Sequence, residues 1–101
     1  MIKFNQSPFA EAQKLIKADI IGLSSFTLFV PNRTCHLSVD RDGTVFAYTA
    51  KQEPQWLEEQ KCWFSRWGRV IRIGKLAGLP VNFDASQAKV KIPVHQDLEL
   101  H

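Results

Sequence analysis

The residues best suited to binding chemistry lie in the stretch Lys61 to Lys75, KCWFSRWGRVIRIGK. It holds five basic residues and no acidic one, interleaved with two tryptophans and a phenylalanine. Aromatic faces stack on bases while guanidinium groups contact phosphates, so the composition suits single-stranded nucleic acid. Trp and Arg are also enriched at protein–protein hot spots, so a protein partner fits equally well. In a third interpretation the rings cover the core and the cations form a solvated strand face.

Net charge favours the protein partner over the nucleic acid. The chain carries +3, which is light for sequence-independent binding to phosphates. Single-stranded nucleic acid bound by residues 61–75 remains the alternative, and a small homo-oligomer with the patch between copies is a further class. The residues predicted to contact a partner are Trp63, Arg66, Trp67, Arg69 and Arg72.

Catalytic constellations are hard to assemble from this sequence. Two of its three histidines, His95 and His101, belong to the C-terminal strand and tail, and the third is His36. No Gly-x-Ser-x-Gly elbow or phosphate-binding glycine loop occurs. The neighbouring carboxylates Asp40 and Asp42 are explained by turn chemistry. The sequence therefore predicts that the protein is not an enzyme.

Metal ligands are equally sparse. Cys35, His36 and Cys62 are potential ligands, but no Cys-x-x-Cys or His-x₃₋₅-His spacing occurs. Adjacent strand residues point to opposite faces, so Cys35 and His36 cannot easily share one ion. We expect no metal site and no cofactor.

The length and hydropathy of the chain indicate how many domains it forms and in which compartment it acts. A chain of 101 residues is expected to form one domain, 1–101. No apolar run reaches the roughly 18 residues of a membrane span, and the N-terminus MIKFNQSPF lacks a secretory h-region. These features predict a cytoplasmic protein without a membrane partner, whose cysteines are reduced. The tail HQDLELH, residues 95–101, is expected to be disordered or foreign to the natural protein, and no function is assigned to it.

A central β-hairpin over residues 34–50 is the clearest structural element. Asp40 suits the first position of a type I turn, and Gly43 suits the following bulge position, which needs positive φ. With Asp40 opposite Thr44, one face carries the pairs Val39–Val45, Leu37–Ala47 and Cys35–Thr49. The other face carries His36, Ser38, Phe46 and Tyr48.

The N-terminal third has the spacing of a helix over about 8–21. Ser7 and Pro8 form a good N-cap and N1 pair, and apolar residues then recur at three and four. These are Phe9, Ala12, Ile16, Ile20 and Leu23.

The remaining segments favour strands. Ser25 to Val30 and Val70 to Lys75 have strand composition, and Val90 to Val94 predicts a last strand confined to an edge by Pro93. Gln55 to Glu59 favours a single helical turn. The expected fold is α+β, a three- to four-stranded antiparallel sheet with one N-terminal helix packed on one face.

Several short motifs carry a resemblance. Asp42-Gly43-Thr44-Val45 with Ala47-Tyr48 is followed by Lys51, Pro54 and Trp56, and then by Ile73-Gly74-Lys75-Leu76. This DGTVxAY…KxxP…W…IGxL pattern resembles small uncharacterised proteins of tailed bacteriophages and prophages. Gly78, Phe83-Asp84 and Ser86 fill comparable places, with Phe where Trp is commoner. The resemblance spans Thr34 to Ile92.

What the resemblance implies is a biological setting. Such proteins commonly bind and redirect a host protein or help to defeat a host defence. The implied function is a non-enzymatic accessory protein that modulates a host protein or defence complex in the cytoplasm of a bacterial host cell.

Overall fold

A computed structural model describes residues 2–93 of the chain, and nearly all the regular structure in that range is β. A 3₁₀ turn, Ala85–Gln87, precedes the final strand. Met1 and residues 94–101 lie outside the described residues, which includes Val94 of the predicted last strand and the tail 95–101. The strands are β1 Lys3–Gln6, β2 Gln13–Ala18, β3 Phe26–Pro31, β4 His36–Val39, β5 Thr44–Tyr48, β6 Gln55–Leu57, β7 Cys62–Phe64, β8 Val70–Ala77 and β9 Lys89–Lys91.

The main sheet has five antiparallel strands, not the predicted three to four, in the order β1-β8-β5-β4-β9. Its centre is the predicted hairpin, in which Val39 lies opposite Val45 and Leu37 opposite Ala47. The Gly43 amide donates to the Asp40 carbonyl at 2.9 Å, closing the predicted turn. The last strand β9 pairs only with β4 among the described residues, so it lies at a sheet edge as expected.

The predicted helix over 8–21 is wrong, and with it the α+β fold class. Residues 13–18 form strand β2, which pairs with β3 in a separate two-stranded sheet. Along β2 the buried residues Ile16 and Ala18 alternate with the exposed Lys17, a period of two. Beyond the strand the alternation continues to the buried Ile20, and the chain then turns at Gly22, whose φ is 84°.

The β2–β3 hairpin covers one face of the main sheet and creates the core. From the hairpin, Ile16, Leu28 and Val30 are fully buried. They belong to one cluster with the sheet residues Leu37, Val39, Val45, Ala47, Ile71, Ile73 and Leu76. We call this covered side the core face and the opposite side the outer face.

One side chain, that of Gln6, links the two sheets. Its amide nitrogen donates to the Phe29 carbonyl at 3.1 Å, and its amide oxygen accepts from the Phe29 amide at 2.9 Å. The same nitrogen also donates to the Ile73 carbonyl at 2.9 Å. Gln6 therefore reproduces with its side chain the hydrogen-bond pair that neighbouring strands exchange.

A third sheet, the β6–β7 hairpin, lies on the outer face. The segment Gln55–Glu59 was predicted as a helical turn, but Gln55–Leu57 is strand β6. The reversal follows at 58–61, where Lys61 has a φ of 55° and its amide bonds to the Leu57 carbonyl. Within the described range, no helix has the length and apolar character needed to cross a bilayer.

Candidate binding cleft

An open cleft of about 840 Å³ lies beside the β6–β7 hairpin. Its walls come from the hairpin, from the segment before it, from the loop after it, and from the 3₁₀ turn and β9. The lining residues are Gln52, Glu53, Pro54, Gln55, Trp56, Trp63, Phe64, Ser65, Arg66, Trp67, Ser86 and Lys89. All three tryptophans of the chain contribute to this surface.

Trp56 and Trp63 are the tryptophans that the β6–β7 hairpin contributes to the cleft lining. They lie directly opposite each other in the β6–β7 register, and their rings meet edge to face with centroids 5.4 Å apart. This geometry brings the positive edge of one ring to the negative face of the other, which stabilises the pair beyond its buried area.

In addition to the Trp56 ring, Trp63 contacts the 3₁₀ turn and Lys89. Its indole N–H donates to the carbonyl of Ala85 at 2.9 Å, which ties the hairpin to the 3₁₀ turn. The ammonium group of Lys89 lies 5.9 Å from the centre of its ring, and Lys89 is itself held 3.0 Å from Glu53. Trp63 therefore holds the cleft in shape.

Trp67 differs from Trp63, because the residue is half exposed at 51%. Among the described residues its indole N–H has no hydrogen-bond partner. Its backbone is held, since Ser65 Oγ donates to the Trp67 carbonyl at 3.0 Å and accepts from the Trp67 amide at 3.3 Å. Phe64, also on the cleft, is 45% exposed. These two rings are the apolar groups that the cleft offers to a partner.

The loop that carries Trp67 is anchored at its base. The hydroxyl of Thr49 accepts from the Arg69 amide at 2.8 Å, and the Thr49 amide donates to the Arg69 carbonyl at 3.1 Å. The backbone beneath Trp67 is thereby joined to the end of β5, so the exposed ring stands on a fixed support.

The five residues predicted to contact a partner do not share one surface. Trp63, Arg66 and Trp67 line the cleft together. Arg69 lies outside the cleft lining, and its guanidinium lies 2.5 Å from the Glu11 carboxylate. Arg72 lies on the open part of the outer face and donates to Ser7 Oγ at 3.1 Å.

Charges around the cleft are largely paired. A hydrogen bond from Lys89 holds the pKa of the Glu53 carboxyl below its usual value, and the bond from Lys61 does the same for Glu58, which also accepts from the Trp56 indole at 2.9 Å. Arg66 has no carboxylate partner among residues 2–93. The cleft thus presents one free cation beside its aromatic rings.

The two turn carboxylates behave differently. The backbone amide of Thr44 donates to Asp42 at 2.9 Å and lowers the pKa of that carboxyl. Burial raises the pKa of Asp40, and the facing Trp63 amide partly offsets that rise. Within the described part of the chain, no three His, Cys, Asp or Glu side chains are grouped to hold a metal ion, and Cys35 and Cys62 are free thiols.

A buried polar pair lies on the same outer face. The hydroxyls of Ser38 and Tyr48 are 2.6 Å apart, and Tyr48 is only 1% exposed. Burial raises the pKa of Tyr48 to about 12, although the Ser38 hydrogen bond acts in the opposite direction.

This tyrosine provides an alkaline reporter of the fold, because it is the only one in the chain. In the folded protein we expect the tyrosinate absorption band to develop near pH 12, against about 10 in the unfolded chain. The folded state binds its proton more tightly, so the associated stability is fully present below about pH 10 and is lost as pH rises toward 12, by about 2–3 kcal/mol.

Spectrophotometric titration with and without denaturant measures both pKa values. Native-state ionisation near pH 10 would contradict the buried pair. The Tyr48→Phe variant is the control, since it removes the band and should flatten the alkaline fall in stability.

Several cleft residues escaped the sequence analysis. Trp56, Phe64 and Pro54 line the cleft alongside the predicted residues. The sequence contains a pattern that predicts the β6–β7 hairpin. Four polar residues, 58–61, separate two short runs that each contain a tryptophan, Gln55-Trp56-Leu57 and Cys62-Trp63-Phe64.

No protein-family model, curated protein or solved structure matches this chain.

Proposed function

We propose that this chain is a small non-enzymatic accessory protein of the phage or prophage type, which binds a host protein or defence complex and modulates it. The binding site is the cleft, and the place of action is the cytoplasm of the bacterial host cell. The phage setting derives from the motif resemblance, and the binding mode derives from the cleft.

The observation that carries the proposal is the exposure of Trp67 and Phe64 on a fixed scaffold. Both rings are about half exposed, while the neighbouring Trp63 is fastened by its indole N–H. Exposed aromatic rings that are held in place lose little conformational entropy on binding, and Trp is enriched among hot-spot residues. The free guanidinium of Arg66 supplies a polar contact beside them.

The test compares two truncations of exposed apolar side chains. We expect the double variant Phe64→Ala, Trp67→Ala to lose capture of its partner from host lysate. With the purified partner its affinity should fall at least about 30-fold, the effect of a hot spot worth about 2 kcal/mol. The thermal midpoint should move by no more than about 4 °C, because the removed groups are half exposed.

Val81→Ala is the matched control, since Val81 is a fully exposed apolar residue outside the cleft lining. Its affinity should equal that of the wild type. Unchanged binding by the cleft variant would refute the proposal. Light scattering on the same samples measures the oligomeric state. If the wild type is an oligomer and the cleft variant is a monomer, the exposed rings mediate self-association instead.

A further inference from the structure

Away from the cleft, strands β1 and β8 present exposed side chains on the outer face of the sheet, and β5 adds the half-buried Phe46 between the buried Thr44 and Tyr48. Phe46 and Arg72 lie opposite each other there, as do Thr44 and Lys75. Lys3 lies opposite Ala77 on the edge strand and alternates with Phe4, which packs on the core. Opposite residues share a face, and Thr44 and Phe46 project to the same side of β5. A bulge in β8, where Gly74 pairs with Val45 but Arg72 with Phe46, interrupts the alternation, so that Arg72 and Lys75 both project outward. We call Lys3, Phe46, Arg72 and Lys75 the basic face.

The three cations of the basic face have no carboxylate partner among the described residues. Lys61, Arg69 and Lys89, by contrast, each form an ion pair with a glutamate. Strands β1, β5 and β8 contain neither Asp nor Glu. Asp42 is near enough to Lys75 for its pKa to be lowered by that charge, but it is held by the Thr44 amide.

Most of the N–H donors of the three cations make no hydrogen bond within the described residues. Lys3, Arg72 and Lys75 are exposed, and the single hydrogen bond of the Arg72 side chain within the described structure goes to the neutral hydroxyl of Ser7. A guanidinium has five N–H donors, so several stay available for phosphate oxygens. The local field is positive although the net charge of the chain is small.

An aromatic ring lies among these cations. Phe46 is half-buried, with Arg72 opposite it on one side and Ser38 on the other. Val70, further along β8 and 46% exposed, extends the apolar strip. An antiparallel sheet face with an aromatic ring and flanking cations is the arrangement on which unstacked bases lie while the backbone meets the positive groups.

We propose that the basic face binds a single-stranded nucleic acid, with phosphates on Lys3, Arg72 and Lys75 and a base stacked on Phe46. This is an activity beyond the protein-binding cleft and uses a different surface. It shares Arg72 and Lys75 with the nucleic-acid site expected over residues 61–75, but it uses Phe46 in place of the tryptophans of that stretch and adds Lys3. Of the cations in that stretch, Lys61 and Arg69 are paired with carboxylates, and Lys3 lies far from it in sequence.

The probe is a fluorescently labelled oligothymidine of about 16 nucleotides, the upper end of site sizes for small β domains. Anisotropy is measured from about 50 to 200 mM salt. The wild type should bind at low salt, with log affinity falling against log salt at a slope of about −2, the value for three phosphates on a single strand.

The triple variant Lys3→Gln, Arg72→Gln, Lys75→Gln should bind at least tenfold more weakly and lose most of the salt slope. The control triple Arg33→Gln, Lys51→Gln, Lys91→Gln changes net charge equally at exposed cations elsewhere and should retain the wild-type affinity and slope. Phe46→Leu keeps an apolar group on the sheet and should weaken binding several-fold without changing the slope.

Three results would overturn the proposal. One is absence of wild-type binding at about 50 mM salt, a measurement that needs no variant to fold. Another is an equal loss in the control triple, which would indicate general charge attraction. The last is equal affinity for duplex DNA of the same length, which would leave no role for stacking on Phe46. The cleft variant Phe64→Ala, Trp67→Ala should bind the oligonucleotide normally, so the two proposals fail independently.

Discussion

Gly43→Ala should be among the most destabilising single substitutions in this chain, lowering the free energy of unfolding by about 3 kcal/mol. Gly43 has a φ of 91°, where a side chain is strained. A Cβ there would also stand 2.3 Å from the Leu76 carbonyl oxygen. The Gly43 carbonyl accepts from the Leu76 amide at 2.8 Å, so relief of the clash must disturb the contact between the hairpin and β8.

Gly22→Ala separates the two causes. Gly22 has a similar φ of 84°, but a Cβ on it would meet nothing within 4 Å. Its substitution should cost about 1 kcal/mol from backbone strain alone. Urea unfolding of both variants measures the difference. Equal losses would show that the approach to Leu76 carries no penalty of its own.

Trp63→Ala should cost about 3 kcal/mol of folding free energy, close to the range for large aromatic truncations. The substitution removes the contact with the Trp56 ring and the hydrogen bond to the Ala85 carbonyl together. The Ala85 carbonyl then keeps only the hydrogen bond from the Ala88 amide, and Lys89 loses the ring beneath its ammonium. Thermal and urea unfolding should both show the loss, and the fluorescence of the remaining tryptophans should change.

Two further variants separate the causes of that loss. Trp63→Phe keeps a ring but no N–H, so its smaller loss measures the hydrogen bond, about 1 kcal/mol. Trp67→Ala removes the same side chain from an exposed position and should leave stability almost unchanged. If Trp63 and Trp67 proved equally dispensable, the division between a supporting and a contacting tryptophan would be wrong.

The central hairpin was predictable because its information is local. Asp40 and Gly43 specify the turn by their own chemistry, and the turn in turn fixes the register. The edge strand β9 was equally accessible, since the alternation of Val90 with its lysine neighbours and the nearby Pro93 needs no distant partner to be recognised.

The N-terminal third was mispredicted because its pattern satisfies two periods. Ile16 and Ile20, four residues apart, fit both the stripe of a helix and the alternation of a strand, in which Ala18 lies between them on the same face. Residues 13–18 form a strand because they pair with β3 and are buried against the main sheet, and both are tertiary effects. The cleft was only partly visible for the same reason, since the fold of the β6–β7 hairpin brings Trp56 to Trp63.

The position of β1 in the main sheet has a consequence for folding kinetics. Lys3 lies opposite Ala77, so β1 leaves the ribosome well before its partner strand β8. Until β8 arrives, Phe4 has no sheet to pack on and Gln6 has no Ile73 carbonyl to bond. Pairings this distant in sequence place all-β domains in the millisecond-to-second folding regime. The edge of the sheet that β1 completes should therefore stay open during synthesis until β8 has emerged.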